Sequence, residues 1–174
     1  MAQQQVEPQV EPWLRGTHTD VDPVVRAVLH ALELAHEDVV RWCGPLGTGA
    51  REAAPLGLPS PAFQLRHLAR SLDRLMTYAE GASLNQAQLL ALREEKLLTA
   101  DPLAEFEAAI AHAKQRLLRF RREQFAEPRY VGRSMLPATV AGLLVHIADH
   151  TQRHVGQAIT TAKVVLALHG AESS

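Results

Sequence analysis

Histidine supplies the densest chemistry in this chain. His150 and His154 stand four residues apart in ADHTQRHVGQ. At about 3.6 residues per turn an i, i+4 pair lies on one face of a helix, one turn apart. Two imidazoles so placed can hold one divalent ion from a single helix. An HxxxH alone is more often a packed pair, each ring satisfied by one hydrogen bond, so a third donor is needed. His67 is the candidate, because in PAFQLRHLARSL it lies between Phe63 and Leu68, where an unsatisfied imidazole would be costly. His146, one turn before His150, sits toward the edge of the same face. It offers a further ligand or a hydrogen bond to one. His30, His36 and His112 have no partner at metal spacing, and each reads as surface or packing.

These side chains must be carried by helices. Leu136 to Gln157 reads as one long amphipathic helix running on to about His169. Val140, Leu143, Ile147, His150, His154, Gln157, Thr161, Val164 and Leu168 share the face expected to meet the core. Three cap-plus-proline pairs, Asp22-Pro23, Ser60-Pro61 and Asp101-Pro102, mark helix starts. The first helix ends at Gly44-Pro45, the second at Gly81, and the third runs through Phe120. Residues 44–59 are Gly-, Pro- and Ala-rich and read as a loop. Ser83 to Leu98 reads as a shorter helix capped by Ser83. Arg116, Arg119, Arg121 and Arg122 suit a solvated helix C-terminus. Residues 128–137 read as a linker.

Strand signals are nearly absent, so the expected class is all-α: an antiparallel four-helix bundle with a short extra helix between its second and third main helices. Residues 13–174 form one domain, its start anchored by Trp13 and Leu14. The polar, proline-spaced residues 1–12 are expected to be flexible.

Composition narrows the function classes. With 47% hydrophobic and 21% charged residues the chain is an ordinary globular one. A formal net charge of −1 gives no surface for a nucleic acid. Cys43 is the only cysteine, which excludes an internal disulfide, and its place in RWCG favours a structural thiol over a nucleophile. No signal peptide is evident, and the apolar run 138–148 is broken by His146, short of the roughly 20 residues of a membrane span. The expectation is a cytoplasmic protein.

The motifs and their order resemble the DinB/YfiT-like superfamily of metal-binding four-helix bundles. FQLRHLARSLDRL matches its second-helix histidine at His67, and DHTQRHVGQ matches its final-helix pair at His150 and His154. Val155 replaces the arginine common after the last histidine, Gly156 and Gln157 are kept, and His146 is extra. The resemblance implies a divalent metal held by His67, His150 and His154. Members with assigned activities act with low-molecular-weight thiols, as S-transferases or a thiol-dependent isomerase.

Three neutral ligands leave an ion its charge and open positions, as in catalytic sites. The leading expectation is therefore a metal-dependent transferase acting on a small-molecule substrate with a low-molecular-weight thiol. A metal-dependent hydrolase using bound water, and a non-catalytic metal-binding stress or interaction protein, stand as alternatives. Three imidazoles suit several metals, with zinc or nickel expected, and a homodimer fits the reading. Asp149 and Gln157 are the candidates to orient a ligand or substrate, although Asp149 points away from the stripe. Occupancy is expected to fall as pH drops through about 6, because imidazoles must shed protons to bind.

Overall fold

The three proline-bearing starts are all used. In the computed structural model, which describes residues 10–97 and 101–172, α1 (Pro23–Trp42), α3 (Pro61–Ala79) and α5 (Pro102–Leu117) each open on proline. The Asp22 carboxylate accepts from the Val24 amide at 2.9 Å, and Ser60 Oγ from the Phe63 amide at 3.1 Å. Asp101 Oδ1 accepts from Leu103 and Ala104 at 3.0 and 3.2 Å. Each satisfies an amide that the first turn leaves unpaired. Gly44 follows α1, where an added Cβ would clash with the Val40 carbonyl oxygen.

Elsewhere the local structure departs from the expectation. The loop after α1 holds the short helix α2 (Thr48–Glu52). The next helix, α4 (Gln86–Arg93), is capped by Asn85 rather than Ser83. Asn85 Oδ1 accepts from the Gln88 amide at 2.9 Å while Gln88 Oε1 accepts from the Asn85 amide at 3.0 Å. That reciprocal pair satisfies two amides at once, which Ser83 could not do from its position.

The expected linker is a β-hairpin, β1 (Pro128–Val131) against β2 (Leu136–Thr139), antiparallel with Tyr130 opposite Pro137. Gly132 turns the chain at φ 70°. Pro137 disfavours helical backbone at Leu136, so the last helix, α6 (Val140–Glu172), begins four residues later than expected. Thr139 Oγ1 accepts from the Gly142 amide at 3.1 Å at its start.

Four long helices share the core, α3 packing on α5 and α6, and α1 on α6 and α5. Leu29, Leu32, Leu65, Leu68, Leu72, Phe106, Leu144 and Ile147 are buried at its centre. The chain is therefore mostly helical, with six α-helices and one small sheet among the described residues. Among the described residues, no helix is long and apolar enough to cross a membrane.

Two side-chain expectations change, those for the Trp13–Leu14 anchor and for Arg116. Trp13 and Leu14 are exposed, and Pro12 is the buried residue of that turn. Arg116 is not at a solvated end. It is buried between α3 and α5, where its guanidinium donates to Glu80 Oε2 at 2.6 Å, to Asp73 Oδ1 at 2.8 Å and to Thr77 Oγ1 at 3.1 Å. Its charge is needed inside because two carboxylates from α3 and its cap face it. Cys43 is fully buried, and burial pushes its thiol up to about 11, which leaves it inert as a nucleophile. Most of the expected flexible segment, residues 1–9, and Leu98, the last residue of the expected short helix, lie outside the described residues.

Candidate metal centre

The buried stripe of α6 runs through Val140, Leu144, Ile147, Thr151, Val155, Ala158, Ala162 and Val165. His150 and His154 flank this stripe rather than lie on it, and Gln157 and Leu168 are exposed. The pair is half-buried, facing α3 across the margin of the core, and there His67 meets it. A ring at the margin keeps one side open to solvent, which a ring on the stripe would not.

His67, His150 and His154 each present a nitrogen to a common point, with these atoms all within 4.8 Å of one another. Ring centroids lie 4.4 Å apart for His67 and His154, 4.5 Å for His150 and His154, and 5.2 Å for His67 and His150. Nε2 of His67 is 3.3 Å from Nε2 of His150. One ring can donate a proton to the other at that spacing. It is also the edge of a tetrahedron whose corners are about 2.0–2.1 Å from a zinc-sized ion, roughly 3.3 Å.

Behind the rings stand groups that fix their orientation. His154 Nδ1 is 2.7 Å from Gln64 Oε1. A carbonyl oxygen can only accept, so Nδ1 carries the proton and Nε2 is left as the ligating nitrogen. His67 Nδ1 is buried 3.2 Å from Glu95 Oε1, an ion-pair distance without the alignment of a hydrogen bond. Arg74 holds the same carboxylate oxygen at 3.1 Å. Burial pushes the Glu95 carboxyl up, but His67 and Arg74 outweigh it and hold it below its ordinary value.

The rings are also held neutral. Burial, followed by the neighbouring His154 and His67, pushes His150 down to about 4. Burial and then His67 lower His154, against an opposing hydrogen bond with Gln157. His150 therefore sheds its proton well before pH 6, so proton competition at that ring falls below the expected window, and the shift at His154 is in the same direction.

His146 stands at the rim, its ring 5.5 Å from that of His150 and its Nδ1 4.0 Å from Asp149. It is not among the three converging donors. Asp149 is exposed and paired with Arg153 at 2.6 Å, away from the rings. His36 and His112 are not among those donors either. A cavity of about 480 Å³ beside the hairpin, lined by Tyr78, Tyr130 and Met135 among others, contains none of the three histidines.

Residues 22–158 match the DinB superfamily. The chain belongs to the DinB superfamily. A crystal structure of a conserved protein from Enterococcus faecalis has the same fold, at 20% identity and a TM-score of 0.68, covering 84% of this chain and 99% of that one. No curated protein matches. Within this DinB-superfamily chain, Val155 is 1% exposed, so the residue after the last histidine is part of the core.

Gln64 and Glu95 are the site residues that sequence reasoning missed. Gln64 could have been found, since it precedes His67 by three residues and so shares its face of α3. Glu95 carries no such signal. It follows α4 and reaches His67 only because that helix folds back on α3.

Proposed function

We propose that this chain binds a divalent metal, of zinc or nickel type, and acts as a metal-dependent transferase with a low-molecular-weight thiol. In this reading α1, α3, α5 and α6 form the four-helix bundle that holds the site. The observation that carries it is the convergence of His67, His150 and His154, their nitrogens within 4.8 Å of one another and the His67–His150 pair at tetrahedral-edge spacing. An ion held by three neutral imidazoles keeps its charge and an open position, and lowers the pKa of a thiol bound there.

The protein's own contribution is orientation and protonation state. Gln64 fixes the His154 tautomer, and Glu95, braced by Arg74, faces the outer nitrogen of His67. Burial keeps His150 and His154 neutral and ready to ligate. Gln157, exposed beside His154, is placed to orient a small-molecule substrate, and His146 to touch it at the rim. Asp149 has no part in this reading, because Arg153 holds it outward.

The test is turnover of a small electrophile by metal-loaded protein, with and without added thiol. Loss of electrophile that needs both metal and thiol, and disappears in His150→Ala, is the expected result. Turnover without thiol would replace the transferase with a metal-dependent hydrolase. Stoichiometric metal without turnover on any electrophile would leave a binding protein.

A further inference from the structure

A second group of donors lies on α1 and the turn before it and shares no residue with the first. His30 and Glu33 are three residues apart on α1 and so point from the same face. His18 reaches them from the turn before α1, held in the left-handed region at φ 56°. One nitrogen from each histidine and one Glu33 oxygen all lie within 4.8 Å of one another. His18 Nε2 is 2.8 Å from Glu33 Oε1, and His30, only 7% exposed, has its Nε2 3.1 Å from Thr17 Oγ1. Lys114 of α5 donates to the same Glu33 oxygen at 2.7 Å. A cavity of about 520 Å³ opens beside them, its wall including Glu107 and a Glu37 carboxylate paired with Arg15.

We propose that His18, His30 and Glu33 form a second divalent-cation site, filled in competition with the Lys114 ammonium. Two imidazoles and one carboxylate are a ligand set for zinc, iron, cobalt or nickel, with remaining positions for water on the cavity side. His30 is fixed in the helix, and His18, on a turn, can close the remaining distance. Burial pushes the Glu33 carboxyl up, but Lys114 and His18 outweigh it, so the oxygen is anionic when a cation arrives. Lys114 is the cost of the arrangement: its charge must move off Glu33 or stand against the ion. The site is therefore weaker than the three-histidine cluster and reports on Lys114 directly.

Chelator-stripped protein is titrated with zinc ion alone, following heat and, in parallel, the visible bands of cobalt. The wild type should take up two ions, one tight and one weaker. His150→Ala should lose the tight ion and keep the weaker. His18→Ala and Glu33→Gln, neither of which opens the core, should lose the weaker and keep the tight. Lys114→Met should tighten the weaker site, by about tenfold, because a like charge is removed. No ion taken up by His150→Ala, two ions retained in the His18→Ala/Glu33→Gln double variant, or unchanged weaker binding in Lys114→Met would each overturn the proposal. Because the weaker site is read in His150→Ala, failure of the three-histidine reading would leave this result interpretable.

Discussion

Nε2 of His67 and Nε2 of His150 face each other at 3.3 Å although 83 positions separate them in the chain. Helix α3 carries one ring and α6 the other, and only their packing sets the gap. His154, one turn further along α6, closes the triangle. Removing any corner should destroy tight binding. Each of His67→Ala, His150→Ala and His154→Ala is expected to lose the tightly held ion in metal analysis of untagged protein. His36→Ala and His112→Ala should retain it. His146→Ala should weaken binding by roughly 10- to 100-fold at most, because His146 stands beside His150 at the rim and is not among the three donors. Retention of the tight ion in His67→Ala would remove the basis for a shared site.

Glu95 and Gln64 hold the rings without joining them. Glu95→Gln removes the charge facing His67 while keeping the shape, and Gln64→Leu removes the acceptor that selects the His154 tautomer. Each should weaken metal binding by about 10- to 100-fold with the fold unchanged by circular dichroism. Wild-type affinity in both variants would show that the tautomers are set elsewhere.

Acid should destabilise the metal-free protein through His150. Its folded value of about 4 lies below the ordinary 6.5, so between those values the unfolded chain binds the extra proton. Stability from this group is complete above about pH 6.5 and is lost as pH falls toward 4. For a half-buried ring the loss is about 1–2 kcal/mol once solvent screening is allowed for. Denaturant midpoints across this range should show the wild type losing stability relative to His150→Gln as pH falls. Parallel curves would contradict the assignment.

Arg116 ties α5 to α3 through Asp73, Thr77 and Glu80. Arg116→Met should cost about 2–3 kcal/mol, below the full penalty for a broken buried pair because Asp73 and Glu80 can turn to water. Urea unfolding measures it. The Ser60→Ala cap variant, expected to lose about 1 kcal/mol, sets the scale of an ordinary local change.

Much of this protein is legible in one dimension because the decisive forces are local. The Asp22, Ser60 and Asp101 caps place three helix starts within a residue, since a cap and its amide are neighbours in the chain. The HxxxH of His150 and His154 declares itself through the helical repeat, and His67 through the apolar residues beside it. The N-cap Asn85 and the hairpin at residues 128–139 were equally local but less visible: two chemically suitable caps compete before α4, and prolines mask a strand signal. What local chemistry could not decide is which distant groups meet. Glu95 faces His67 only because α4 folds back on α3, and His18 reaches His30 and Glu33 only because the turn before α1 is left-handed. Arg116 looks like one cation among four until Asp73 and Glu80 close around it. Residue type and spacing determine a side chain's chemistry and the face it takes. Its neighbours across the core, and with them its protonation and its partners, come from the packing of helices far apart in sequence.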